Sequence, residues 1–344
     1  MSDDRYSRQM RFAGIGAEGQ QRIRQGRVLL CGCGALGSAI ADGLVRAGIG
    51  FLRFVDRDFV ELSNLQRQVL FDEQDIAEQL PKAIAAERKL SKINHEVVLD
   101  ARVADIDHTN ILEFARGVDL ILDGMDNFET RFLINDAALT TKTPWIYGGC
   151  VGSHGQVLPI FPGETACLRC LIGDVPGPGV SETCDTAGVI GPAIAVVAAL
   201  QVVAALKILA GRRDMISEVL TVVDVWDGSL RQMNLAKLRE RTNCPACVGG
   251  ERDWLAGRKG SQSTVLCGRN AVQISPAEKQ QLSLAELAAR LASSGEVSQN
   301  PFLLRLTLPG NVHQLTIFPD GRAIIKGTDD ITVARSLYAR YVGI

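Results

Sequence analysis

The residues Gly32-Cys33-Gly34-Ala35-Leu36-Gly37 begin a set whose types and spacing describe a nucleotide site with its own charge-handling groups. This loop follows the apolar run Arg27 to Cys31 and leads into a helix-like stretch. Its glycines let phosphate or ribose approach the backbone, and a helix N-terminus favours negative charge. Asp56 comes nineteen residues after Gly37 and closes the next strand-like run, Phe51 to Val55. A carboxylate at that place takes ribose hydroxyls. Ser63-Asn64-Leu65-Gln66-Arg67 and Lys82 follow, and then a strand-like run from Val118 with Asp123 and Asp126-Asn127 at its carboxyl end. Hydride transfer has little use for such cations. Attack at a phosphoryl centre needs them, usually with Mg²⁺, to take up developing charge.

A second constellation is Cys167-Leu168-Arg169-Cys170 with Cys244-Pro245-Ala246-Cys247. Each short spacing lets two sulfurs face one ion, and two pairs close a tetrahedron around zinc with no open position. Such a site is structural rather than catalytic. The chain has nine cysteines, an odd number, and its N-terminus lacks an apolar signal core, which together argue for a reducing cytoplasm and against a disulfide framework. Cys184 stands between a Pro/Gly-rich segment, 171–179, and Ala187-Gly188-Val189-Ile190-Gly191-Pro192. It is either a small packed residue or a nucleophile, its thiolate favoured if it lies near a helix start.

These motifs, in this order, resemble the ThiF/MoeB/HesA family, bacterial relatives of ubiquitin-activating enzymes. The resemblance runs from Arg5-Tyr6-Ser7-Arg8-Gln9 to about Gly250 and includes Ser63 to Gln68, Pro81-Lys82, Asp123 to Asn127, both cysteine pairs and Thr183 to Gly188. It implies ATP-dependent adenylation of the C-terminal glycine of a ubiquitin-like sulfur carrier ending in Gly-Gly, by a homodimer, for thiamine thiazole or molybdopterin biosynthesis. It selects Asp126 for Mg²⁺, with Asn127 beside it. Gly34, Ala35, Asp56, Ser63, Asn64, Leu65, Gln66, Arg67 and Lys82 would then line the ATP site. The resemblance also implies that Arg8 reaches into the partner's site and that Cys184 joins the carrier through a thioester or acyl persulfide. Two departures stand out: Ala35 replaces a usual glycine, and the interval from Arg67 to Lys82 is slightly long. No rhodanese-like active-site loop follows.

Strand-like and helix-like stretches alternate from Arg27 to about Tyr147, the rhythm of a Rossmann-like, mostly parallel α/β sheet. Runs at 155–161, 219–225 and 230–235 predict antiparallel strands that extend it. Val189 to Ala210 is long and apolar enough to span a bilayer, but Pro192, Gln201 and Lys207 interrupt it, and it reads as a buried helix. A formal net charge of −2 with no charge run points to neither nucleic acid nor anionic membrane. The hydrophobic content, 46%, supports a sizeable core.

The expected organisation is an adenylation domain, 1–250, a linker, 251–263, read from glycines among charged residues after Val248, and a small α+β domain, 264–344. That last domain patterns as a strand, a helix over 284–291, three short strands with an Asp320-Gly321 turn, and a closing helix over 331–341. Two other functions fit parts of this set. An NAD-dependent dehydrogenase explains the loop and Asp56 but leaves Arg67, Lys82, Asp126 and the thiolates idle. A catalytically silent subunit that only docks ubiquitin-like proteins has no need of an intact nucleotide site.

Overall fold

The computed structural model describes residues 4–174, 187–259, 263–266, 270–275 and 281–342. The chain divides into two units, the first ending at Lys259 and the second starting at Gly260.

An eight-stranded sheet forms the centre of the first unit, in the order β3-β2-β1-β4-β5-β6-β7-β8. The strands are β1 (Arg27–Cys31), β2 (Phe51–Val55), β3 (Val98–Arg102), β4 (Leu120–Asp123), β5 (Trp145–Val151), β6 (His154–Ile160), β7 (Val219–Asp224) and β8 (Ser229–Asn234). β3 through β5 are parallel, and β6 to β8 add on antiparallel. Alternation along β1 shows why both faces are covered: Val28 and Leu30 enter one hydrophobic cluster, Leu29 and Cys31 the other. The Ala35–Ala47, Lys82–Ile93 and Gly191–Leu209 helices fill the first face. The Phe128–Thr141 helix and the Leu168–Ile172 turn of helix fill the second.

The chain leaves β1 for β2 and β3 on one side, then returns to place β4 on the other. Strand order reverses between β1 and β4, and the crevice where open α/β sheets bind ligands is the one beyond the strands' carboxyl ends at such a reversal. The first helix after β1, Ala35–Ala47, packs against the apolar Gly191–Leu209 helix, which also lies on β5 and β6. One side of that long helix is buried through Ile194, Val197, Ala198, Gln201 and Ala205, whereas Pro192, Ala195, Val196, Ala199 and Val203 form an exposed apolar stripe.

The second unit is a six-stranded antiparallel sheet in the order β11-β12-β13-β14-β10-β9 with two helices, Leu284–Leu291 and Ile331–Tyr341. Its strands are β9 (Ser263–Leu266), β10 (Ala271–Ile274), β11 (Glu296–Gln299), β12 (Leu304–Thr307), β13 (Gln314–Ile317) and β14 (Ala323–Lys326). The sequence pattern found one strand before the first helix and three after it; the structure has two and four. β9 and β10 form a hairpin that reads as one strand, and the edge strand β11 is too polar to register as an apolar run.

The expected linker, 251–263, is corrected over most of its length. The Trp254 ring stacks on Phe132 at 5.6 Å, and the carboxylate of Asp136 accepts the N–H groups of Trp254 and Leu255 at 3.1 and 3.4 Å. Lys259 pairs with Asp174. The segment through Lys259 therefore belongs to the first unit's second core, and β9 already begins at Ser263. Glycines among charges resemble a linker, but one aromatic residue at the right place anchors the whole stretch. Trp254→Ala should lower the stability of the first unit by about 3–5 kcal/mol, read as a shift of the urea midpoint. A loss below about 1 kcal/mol would mean that the stretch is only loosely attached.

Candidate active site

The crevice is built around the end of β1. Gly32 has φ +87°, and the chain turns there directly into the Ala35–Ala47 helix, whose N-cap is Gly34. Close main-chain packing makes the turn possible. A Cβ on Gly37 would overlap the Gly32 carbonyl oxygen, and one on Gly124 would lie 2.6 Å from that same oxygen. No side chain caps the helix, and its first intrahelical bond is Ser38 N–H to the Gly34 carbonyl. The N–H groups of its first turn point into the crevice at the positive end of a 13-residue helix, an arrangement suited to an anion. Ala35 is helical from its first residue, which explains why alanine is tolerated where glycine was expected.

Asp56, at the end of β2, holds this loop. One of its oxygens accepts Cys33 N–H at 2.7 Å and the other accepts Asp58 N–H at 2.8 Å. Burial pushes the carboxyl's pKa above its ordinary value, opposed by the Lys82 ammonium and by these two amides. Lys82 itself is 4% exposed and pairs with Asp58 at 3.1 Å, and its N–H donates to the Asp58 carbonyl at 2.8 Å. The cation is thereby fixed beside the loop, where its field acts on both Asp56 and Cys33.

The segment 63–68 lines the other side. Ser63 and Gln66 are exposed, Leu65 and Arg67 half-buried, and Asn64 buried. The Asn64 side-chain oxygen accepts Glu61 N–H at 3.1 Å, and Arg67 donates to the Ser63 carbonyl at 2.8 Å. The Gln68 amide nitrogen lies 3.9 Å from where a Gly34 Cβ would be, and its oxygen is buried without a partner. A Cβ on Gly191 would sit 3.1 Å from the Gln66 carbonyl, so the segment also abuts the start of the long helix.

Two aspartates at the end of β4 take opposite parts. Asp123 is completely buried: its carboxylate accepts the N–H groups of Met125 at 2.8 Å and Gly148 at 3.3 Å, and Arg131 Nε at 3.0 Å. Arg131 also donates to the carbonyls of Met125 and Gly148 at 2.6 and 2.9 Å. Asp126, three residues on, is exposed at the rim and contributes to the field at Arg57 and Arg131. Asn127 is the N-cap of the Phe128–Thr141 helix, accepting Thr130 N–H at 2.9 Å.

Of the remaining expected residues, the four thiols converge. Their Sγ atoms all lie within 4.8 Å of one another, with Cys167–Cys170 at 3.9 Å, Cys167–Cys244 at 3.7 Å and Cys170–Cys247 at 3.4 Å. Arg8 is exposed on the short Ser7–Arg11 helix and does not join the crevice of its own chain. Its neighbour Gln9 donates to the Ala47 carbonyl, at the far end of the helix that starts in the glycine loop. At 1.5 Å per residue those two ends are about 20 Å apart. Cys184 and most of the Pro/Gly-rich segment lie outside the described residues.

A ThiF family model matches residues 6–246. The chain belongs to the ThiF family. A sulfur carrier protein ThiS adenylyltransferase of Bacillus subtilis is 43% identical over 340 residues, 98% of this chain and 99% of that relative. A sulfur carrier protein adenylyltransferase of Thermus thermophilus is 39% identical over 249 residues, 71% of this chain and 90% of that one. The Escherichia coli sulfur carrier protein ThiS adenylyltransferase is 36% identical over 250 residues, covering 72% and 96%. Among solved structures, E. coli MccB with ATP superposes with a TM-score of 0.60 at 24% identity, covering 72% of this chain and 74% of that one, a likeness of fold.

The sequence reading of this ThiF-family chain missed Asp58 and Arg131, and included Gln68 in its motif without a role. Asp58 had a signal in its spacing, since two residues beyond a loop-holding Asp56 its carboxylate faces the same crevice. Arg131 had none, because an arginine inside a helix reads as a solvated charge until the buried Asp123 beside it is seen.

Proposed function

We propose that this chain adenylates the C-terminal glycine of a ubiquitin-like sulfur carrier with ATP, making the acyl-adenylate that accepts sulfur in thiamine thiazole or molybdopterin biosynthesis. The observation that carries the reading is the uncapped helix N-terminus at the β1/β4 reversal, flanked by a buried Lys82 and an exposed Asp126. The printed names of the relatives point the same way.

The carrier's terminal carboxylate is ionised at neutral pH, so its attack on the α-phosphorus needs alignment and charge stabilisation rather than a base. Pyrophosphate is the leaving group. The first-turn N–H groups from Gly34 to Gly37 donate to phosphate oxygens, and Arg67 and Lys82 take up the growing negative charge. Asp56 and Asn64 face the nucleoside end, with Ser63, Leu65 and Gln66 as the adjoining wall. Asp56 keeps acceptor capacity for a ribose hydroxyl beyond its two amide bonds. Asp126, whose carboxylate accepts only an exposed hydrogen bond from Asn127 Nδ2 at 3.3 Å, is the carboxylate that would hold Mg²⁺, which neutralises phosphate charge when bound, and Asn127 caps the helix behind it. Cys184 is the candidate for a later covalent link to the carrier. The reading predicts Mg²⁺- and carrier-dependent exchange of pyrophosphate into ATP, abolished in Asp126→Ala with the fold retained. Undiminished exchange in that variant would remove the metal assignment.

Zinc fits the thiol cluster. Zn–S bonds of about 2.3 Å in a tetrahedron put sulfurs about 3.8 Å apart, close to the three separations found. Hydrogen bonds from Cys167 and Cys247 push the Cys170 thiol down from its ordinary value, while Cys247, against the opposing hydrogen bond from Cys167, is pushed up by the Cys170 hydrogen bond and burial. Zinc binds thiolates, so a bound dication would displace the protons of all four. Metal analysis should find one zinc per chain, and chelation should lower thermal stability. Less than half an equivalent with full stability in chelator would refute the site.

A homodimer completes the site. The exposed stripe Pro192, Ala195, Val196, Ala199 and Val203 is a surface that a second copy would cover, and Arg8 is too far from its own glycine loop to serve it. Mixing inactive Arg8→Ala and Asp126→Ala chains should restore part of the adenylation, because one of the two sites in a mixed dimer is intact. If subunits exchange and activity stays absent, Arg8 does not act across the dimer.

A further inference from the structure

The Gly191–Leu209 helix is apolar except for Lys207 near its end and Gln201 in its middle. Gln201 is completely buried. Its amide nitrogen donates to the Asp123 carbonyl at 2.9 Å and reaches the Ile146 carbonyl at 3.4 Å, while its oxygen is buried with no hydrogen-bond partner among the described residues. A Cβ on Gly148 would overlap this amide, so β5 gives up a side chain to admit it. As a packing element this is a poor choice: a half-satisfied buried amide costs more than methionine of similar volume.

What the amide holds is the root of the metal turn. Asp123 is gripped through its carbonyl by Gln201 and through its carboxylate by Met125, Gly148 and Arg131. At the turn's other end, Asn127 caps the next helix. Asp126, between these anchors, has no buried anchor of its own, and its aim follows from theirs.

We infer that Gln201 is a positioning residue for adenylation: by fixing the Asp123 carbonyl from the long helix, it sets the Asp126 carboxylate for Mg²⁺. The inference rests on the metal assignment made above. It differs from a packing role in what it predicts, because loss of the donor should weaken metal use without weakening the fold.

The test is pyrophosphate exchange measured against Mg²⁺ concentration in Gln201→Met. The Mg²⁺ needed for half-maximal rate should rise about 10- to 100-fold, as for groups that orient a metal's ligands. The melting temperature should stay within about 5 °C of the parent protein. Gln201→Glu gives an independent reading should the methionine variant fail to fold, since a carboxyl donates only when protonated. Its exchange, relative to the parent's, should recover as pH falls from about 8 to about 6, burial having raised that carboxyl's pKa. Unchanged Mg²⁺ dependence in folded Gln201→Met, or a parent-like pH profile for Gln201→Glu, overturns the role. Asp126→Ala measured alongside separates the two readings: full Mg²⁺-dependent exchange there defeats the metal assignment, whereas its loss beside an unaltered Gln201→Met defeats only the positioning role.

Discussion

Three stretches of main chain meet at the end of β1 with no side chain between them. The Gly32 carbonyl touches the space that a Cβ on Gly37 or Gly124 would fill. This contact sets the tightness of the turn and the direction of the helix after it. It also sets how closely the end of β4 approaches. The uncapped helix terminus and the Asp123–Asn127 turn are neighbours because nothing bulkier than hydrogen separates their supporting backbones. An alanine at either position would push the two halves of the crevice apart.

Around that contact the carboxylates are divided by their surroundings. Asp56 binds backbone amides, Asp58 binds a buried lysine, and Asp123 binds an arginine and two amides. Each is committed to structure where the low dielectric makes an unpaired charge costly. Asp126 sits at the rim, exposed and held only by an exposed hydrogen bond from the Asn127 amide at 3.3 Å, a partner it can give up if it is to exchange water for a metal and substrate oxygens. Chemical availability here is the inverse of burial.

Elements with strong local signals were legible in the sequence. The Ala35–Ala47 helix and β2 fall where loop, periodicity and apolar run placed them, and the two Cys-x-x-Cys pairs meet as their spacing required. What escaped notice depends on pairs distant along the chain. Trp254 looked like part of a linker because Phe132 and Asp136, more than a hundred residues earlier, are what it packs on. Gln201 registered only as an interruption of an apolar run, and its purpose appears once Gly148 and the Asp123 carbonyl stand beside it. The remoteness of Arg8 from its own loop is likewise a property of helix length and placement, which no motif records.

The long helix faces two ways: its exposed apolar stripe lies on one side and Gln201 on the other, about one helix diameter apart. The exposed stripe and the amide that grips the Asp123 carbonyl therefore share one rigid body, with no loop between them to absorb a displacement. An enzyme that pairs through this stripe, as proposed above, is governed by its own abundance. With a partner on the stripe, dilution reaches the Asp123 carbonyl through the same helix, and the protein's concentration becomes a control on the reaction that needs no inhibitor.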